Sequence, residues 1–212
     1  MPFASYALCA KASRRRVVLP PQHITTAQSK PIVLAVIAGS ILAVSLVSFN
    51  PLTALFSCLL GWCMLAIAVS DMAEFIIPDV LSLPAIPAGL IATWLTMAQD
   101  GAEHVVLQHL AAAFAAGAGL YLIAEAYRLL RGYRGLGLGD VKLLMAAGAW
   151  TGLQGALFVV LIACFAAFGY IAVQLFVKRR MINATTALPF GAFLAPSIWL
   201  VWAMAQIAGL QG

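Results

Sequence analysis

Charged side chains are scarce in this chain of 212 residues: only 9% are Asp, Glu, Lys or Arg, whereas 64% are hydrophobic. An ordinary soluble domain carries about 25% charged residues. The mean hydropathy is +1.01. A soluble fold of this size could not hide so much apolar surface in one core, so the composition predicts that lipid surrounds most of the chain.

Residues that bind metals or form disulfides are also few. The four cysteines form no C-x-x-C pair, and Cys58 and Cys63 lie in an apolar run where a buried thiol is the ordinary interpretation. No His–Glu metal motif and no Ser–His or Cys–His arrangement is present. We therefore expect no metal or other cofactor and no disulfide framework.

The basic residues are interpreted as signals of orientation and not of nucleic-acid binding, because Lys and Arg mark the cytoplasmic side of polytopic membrane proteins. Residues 1–30 contain five of them and no acid. We expect this segment to be a mobile, basic cytoplasmic tail that touches anionic lipid. It is not a signal peptide, because its mildly apolar part precedes the charges.

Residues 31–209 are predicted to form an all-α transmembrane bundle of about seven helices. The runs are Pro31–Phe49, Leu52–Ser70, Val80–Ala98, Val105 to about Tyr127, a short helix Asp140–Trp150, a sixth that follows a turn at Thr151-Gly152 and reaches Val177, and Leu188 to about Ala208. With the N-terminus inside, all twelve Lys and Arg fall on the cytoplasmic side. Only Asp100 and Glu103 remain outside as charges, which is the segregation that the positive-inside rule requires.

Two of the scarce acids, Asp71 and Asp140, fall at the same cytoplasmic boundary in this topology. Asp71 ends the second run and Asp140 opens the fifth. Two carboxylates that approach closely do not both ionise easily, so one can hold a proton while the other takes one from water. This predicts an acid–base pair that cleaves a peptide bond. The simpler alternatives are a helix N-cap for Asp140 and a headgroup position for Asp71.

The residues near these aspartates have structural interpretations. Gly137 and Gly139 let the backbone bend and let a substrate strand come close. Asp79, after Pro78, is expected to be the N-cap of the third helix. Lys142 is expected to anchor the cytoplasmic side, and Glu74 to be a solvated loop acid. Glu125 is spaced to pair with Arg128.

Three ordered segments resemble the motifs of type IV prepilin peptidases, which are G-x-G-D membrane aspartyl proteases. They are DMAEFIIPDVLSLP at 71–84, GLGLGDVKLL at 135–144 and LPFGAFLA at 188–195. The resemblance covers roughly residues 31–209. It implies that Asp71 and Asp140 are the catalytic aspartates. It also implies that the other motif residues shape the substrate-binding loops: Pro78, Asp79, Gly137, Gly139, Lys142, Pro189, Phe190 and Gly191.

The resemblance implies a bacterial inner-membrane enzyme that removes the short basic leader of prepilins or pseudopilins at the cytoplasmic face. The chain departs from the family pattern at Ala192, where the third motif has a second proline, and at Ala73, where an acid is common. The Ala192 change is expected to affect packing more than chemistry. Because no cytoplasmic domain with two C-x-x-C pairs is present, the chain resembles the short form of tight-adherence (Flp) pilus systems, and N-methyltransferase activity is in doubt.

Two alternatives remain open at this point. One keeps the protease class and changes the substrate to a signal peptide or another membrane helix. The other is a small proton- or cation-coupled transporter, or a pilus-assembly scaffold, in which the acids bind protons or cations. Acids at one boundary instead of the midplane, and the lack of repeated halves, argue against a transporter. The sequence leaves the oligomeric state open.

Overall fold

The computed structural model describes residues 31–96, 102–132, 135–177 and 188–209. Within these ranges the elements are α1 Pro31–Ser48, α2 Pro51–Glu74, α3 Asp79–Thr96, α4 Ala102–Arg131, α5 Leu138–Ala172 with a π-helical turn Val173–Val177, and α6 Gly191–Ile207. The described part has no β-strand. The protein is therefore an all-α polytopic bundle, as predicted. The predicted tail 1–30, Asp100 and the loop 178–187 lie outside the described residues.

Four of these helices are long and apolar enough to cross a membrane: α2, α3, α4 and α5 with its continuation. α1 and α6 are apolar but somewhat shorter. Apolar side chains such as Phe165, Phe168 and Leu157 lie on the outside of the bundle. That exposure is costly in water and favourable in lipid, so it agrees with the composition.

The long helix α5 is interrupted at one residue, Gly152, whose φ of 67° and ψ of −177° are not helical. An unbroken helix of 35 residues would be about 52 Å long, against a hydrocarbon core of about 30 Å. Only glycine adopts this backbone conformation readily. The interruption confirms the turn predicted at Thr151-Gly152, and it separates the predicted fifth helix from the sixth.

A buried histidine lies at this interruption. His109 of α4 donates from Nδ1 to the carbonyl oxygen of Ala149 at 3.0 Å, one turn before Gly152. Carbonyl groups next to a helix break lose their intrahelical partners, and buried ones need another donor. His109 supplies that donor and ties α4 to α5.

Several helix boundaries differ from the sequence predictions, and three of them lie near the two aspartates. α2 runs on to Glu74 and not to Ser70, so Asp71 lies in its last turn. α4 extends to Arg131, and α5 begins at Leu138, two residues before Asp140. The predictions ended helices where apolar runs ended, but helices continue beyond the hydrocarbon core wherever the residues remain good helix formers.

Small residues let α5 pack closely against α3, α4 and α6. Ala146, Ala147 and Ala149 are fully buried. A Cβ atom placed on Gly148 would lie 2.7 Å from the backbone of Ala112 in α4. Close backbone approach of this kind is how helices associate in lipid, where the hydrophobic effect does not drive them together.

Aromatic and hydroxyl side chains hold the remaining helices together. The rings of Trp150 and Trp202 meet edge to face at 5.6 Å, and Trp150 Nε1 donates to the carbonyl oxygen of Ala85 in α3 at 2.8 Å. Ser45 of α1 donates to Ser57 of α2 at 2.7 Å. Trp199 of α6 donates to the same Ser57 oxygen at 3.1 Å. These contacts fix α6 beside α2.

We expect Gly148→Ala to destabilise the bundle by about 1–3 kcal/mol, because the new methyl group overpacks the interface of α4 with α5. The matched control is Gly169→Ala in the same helix, where an added Cβ meets nothing within 4 Å. Thermal unfolding midpoints in detergent measure the difference. Equal midpoints for the two variants would show that the helices are not in close contact at Gly148.

Candidate active site

Asp71 is buried, with 5% of its surface exposed, in the last turn of α2. The C-cap of α2 is Phe75, which adopts a left-handed conformation with φ of 55°, and the Phe75 N–H donates to the Asp71 carbonyl oxygen at 3.0 Å. A non-glycine residue in this conformation costs roughly 1–3 kcal/mol, and such strain is concentrated at functional sites. This turn ends α2 within four residues of Asp71.

Asp140 is also buried, with 8% exposed, in the first turn of α5. The N-cap of α5 is Gly137, with φ of −78° and ψ of 147°, so the alternative interpretation of Asp140 as an N-cap is wrong. Asp140 occupies the third helical position, and its carboxylate accepts the backbone N–H of Gly137. This contact is half of a capping box, in which the third residue of a helix reaches back to the N-cap.

The beginning of α6 provides hydrogen-bond donors to Asp71. The Ala192 N–H donates to Asp71 Oδ2 at 2.7 Å, and the Gly191 N–H also donates to this carboxylate. The first N–H groups of a helix have no partner within it, and the helix dipole favours negative charge at that end. The third motif therefore binds the carboxylate of the first.

Ile77 joins the three motifs, although no sequence signal marked it as a site residue. A Cβ atom on Gly139 would lie 2.9 Å from Ile77 Cβ, and one on Gly191 would lie 2.6 Å from Ile77 Cδ1. Both glycines are thus required because Ile77 fills the space between the starts of α5 and α6. Gly137 differs: an added Cβ would meet Asp140 Oδ2 at an ordinary 3.5 Å.

Asp71 and Asp140 lie at the same end of the bundle, as the topology predicted, and the charge of Asp71 acts on Asp140. Here α2 and α4 end, and α3, α5 and α6 begin. Two interacting carboxylates that also accept backbone N–H groups can share a proton and act on a water molecule between them. The described residues contain no group of three or more His, Cys, Asp or Glu that could hold a metal ion.

Asp79 and Lys142 form an ion pair that no sequence pattern predicts. Lys142 Nζ donates to Asp79 Oδ1 at 2.7 Å, which connects the first turn of α3 to the second turn of α5. Asp79 is the first residue of α3, while the carbonyl oxygen of Pro78 accepts the N–H groups of Leu81 and Ser82. The predicted N-cap role of Asp79 is therefore wrong, because Pro78 holds that position.

The other residues named in the sequence analysis are explained by packing, helix capping or an ion pair. Pro189 is buried, and Phe190 is the N-cap of α6 and packs against the core. Arg128 Nε donates to Glu125 Oε2 at 2.9 Å, which confirms that predicted pair. Glu74 is exposed but helical, so it is not a loop residue as predicted.

The chain is similar in sequence to known proteins. A family model described as the type IV leader peptidase family matches residues 58–172. That range contains Asp71 and Asp140, and it ends before the third motif. No solved structure matches the chain.

Curated relatives that share one description are also similar to this chain. The chain is 37% identical over 163 residues to a prepilin leader peptidase/N-methyltransferase of Burkholderia pseudomallei strain K96243, which covers 74% of this chain and 49% of that protein. A protein of the same description from Escherichia coli strain K12 is 34% identical over 171 residues, covering 78% and 69%. The corresponding Aeromonas hydrophila protein is 33% identical over 146 residues, covering 68% and 48%. The chain thus spans about half the length of most of these relatives.

We expect Gly139→Ala to lower the thermal unfolding midpoint more than Gly191→Ala. The new methyl group at 139 meets Ile77 Cβ, which side-chain rotation does not move. At 191 its nearest neighbour is the rotatable Ile77 Cδ1 at 2.6 Å, with Asp71 Oδ2 next at 3.1 Å. Overpacking against an atom that cannot rotate away, as at position 139, costs about 1–3 kcal/mol. Adding Ile77→Ala should restore stability in the Gly191→Ala background and not in the Gly139→Ala background.

The control for both variants is Gly119→Ala, because an added Cβ there has no neighbour within 4 Å. A Gly139→Ala midpoint equal to that of Gly119→Ala would refute the packing of Ile77 against the start of α5.

Proposed function

This chain belongs to the type IV leader peptidase family, and from that membership we propose that it is a membrane aspartyl endopeptidase. Its substrates are type IV prepilins or pseudopilins, including the Flp type, from which it cuts the short basic leader. The proposal covers the peptidase step alone. Methyl transfer, which the names of the longer relatives also include, is not part of the proposal.

The observation that carries the proposal is the pairing of Asp71 with Asp140. Both carboxylates are buried at one end of an apolar bundle, each accepts backbone N–H groups, and they interact with each other. Buried acids in a membrane bundle are costly, and those that are present typically mark a functional site. Peptide hydrolysis by a carboxylate pair needs one group ionised and the other protonated, and the interaction of two buried carboxyl groups favours that state.

The proposed reaction uses one water molecule and no covalent intermediate. The ionised carboxylate takes a proton from water, whose oxygen attacks the scissile carbonyl carbon. The protonated partner gives its proton to the carbonyl oxygen. When the resulting tetrahedral species collapses, the leaving nitrogen takes a proton from the dyad and the C–N bond breaks.

The proposed location is the inner membrane with the site facing the cytoplasm. Arg128 and Arg131 lie in the last turn of α4, at the end of the bundle that carries the two aspartates. Lys142 lies at the same end, while Glu103 lies at the opposite end of α4. This distribution supports the cytoplasmic orientation through the positive-inside rule.

We expect Asp71→Asn and Asp140→Asn each to reduce leader cleavage by at least about 10²-fold, because either change removes one half of the acid–base pair. The protein is co-expressed with a candidate prepilin, and the mass shift of the pilin is followed on a gel. Glu74→Gln is the matched control, because Glu74 is an exposed acid in the same turn of α2 as Asp71.

Near wild-type cleavage by either asparagine variant would refute the dyad. If the unaltered protein cleaved no prepilin while acid-dependent ion flux appeared in vesicles, the transporter alternative would replace the peptidase.

The orientation is tested with single cysteines in a variant that lacks the four native ones. Cysteines at Glu74 and Glu103, which are both exposed, report on opposite ends of the bundle. We expect a membrane-impermeant maleimide to label Glu103→Cys in intact spheroplasts and to label Glu74→Cys only after lysis. The reverse pattern would refute the cytoplasmic site.

A further inference from the structure

The contact between the Ala192 N–H and Asp71 Oδ2 spans 2.7 Å and joins residues that are 121 positions apart. Both residues are buried. Ala192 is the second residue of α6, so its N–H is one of those that have no acceptor within the helix. Here that donor is committed to a carboxylate that belongs to the proposed dyad.

We propose that Ala192 is a positioning residue whose backbone N–H holds Asp71 as the ionised, proton-accepting member of the dyad and leaves Asp140 as the proton donor. This inference rests on the proposed peptidase function and assigns the two roles that the sequence left unassigned. It concerns a main-chain group, so the alanine side chain takes no part.

The two carboxylates differ in their donors. Asp71 accepts from Ala192 and Gly191, which belong to another helix and direct that helix's N-terminus at the carboxylate. Asp140 accepts from Gly137 in its own helix. Hydrogen bonds to an ionised acceptor are shorter and stronger than neutral ones, and 2.7 Å lies at the short end for N–H donors. The larger number of donors therefore favours the negative charge on Asp71.

Other charges near the site do not reverse this preference. Lys142 lies two residues after Asp140, but its ammonium group is bonded to Asp79. α6 contributes no titratable side chain between Gly191 and Ile207. Glu74, one turn after Asp71 in α2, is exposed to the surroundings of the bundle. From α5, the titratable group that interacts with Asp71 is therefore Asp140, on which the charge of Asp71 acts.

The assigned cycle is balanced. Asp71 takes a proton from water as the water oxygen bonds to the carbonyl carbon, and Asp140 gives its proton to the carbonyl oxygen. On collapse, Asp71 returns its proton to the leaving nitrogen, the C–N bond breaks, and Asp140 takes a proton back from a hydroxyl of the tetrahedral carbon. One water molecule is added across the peptide bond, and the dyad regains its starting state.

The role of the Ala192 N–H can be tested by introducing proline, the residue that the family pattern has at this position. Proline, which the family's third motif has here, lacks an N–H but is tolerated in the first turn of a helix. We expect Ala192→Pro to lower kcat for prepilin cleavage about tenfold with KM within about twofold, since a hydrogen bond to a charged group is lost. The acidic side of the kcat profile should also move to higher pH.

Ala192→Gly and Ala192→Ser retain the N–H and should retain kcat and the pH profile. A second variant guards against misfolding of the proline form. An ester in place of the amide between Gly191 and Ala192 removes the N–H without adding the proline ring, and it should reproduce the proline effect.

Wild-type kcat and an unmoved pH profile in the ester variant would overturn the role of Ala192 and leave the peptidase proposal intact. Failure of the unaltered protein to cleave any prepilin would instead refute the proposed function.

Discussion

Two buried carboxylates at the end of an apolar bundle are the constraint on which the rest of the structure depends. Neither Asp71 nor Asp140 is bonded to a cationic side chain among the described residues, so backbone N–H groups must satisfy them. In a helical bundle, the N–H groups at helix N-termini are free to do so. The starts of α5 and α6 therefore have to meet the end of α2, and small residues such as Gly139 and Gly191 are needed to let them approach.

Much of this architecture could be predicted from the sequence because it depends on local signals. The lengths of the apolar runs predicted the helices, and Gly152 marked the interruption in α5. Charge segregation placed Asp71 and Asp140 at one end before any geometry was known. The pair of Glu125 with Arg128 followed from helical spacing alone. Each of these predictions depends only on residues that are close in the sequence or on which residues carry charge.

The parts that could not be predicted depend on contacts between distant segments. Lys142 bonds Asp79 across 63 positions, and no spacing rule relates them. Ile77 lies in the first motif, but its position between Gly139 and Gly191 depends on how α5 and α6 converge. The sequence pattern predicts only a packing effect for Ala192, because such patterns describe side chains. Its contact with Asp71 is made by the backbone N–H.

The backbone origin of that contact has a consequence for mutational studies. An alanine scan leaves position 192 unchanged, and almost every other replacement keeps the same amide. Saturation mutagenesis would therefore rank this position by tolerated side-chain volume, with proline as the one replacement that removes the donor. Residues that act through the main chain are thus overlooked by screens that define importance as loss of a side chain.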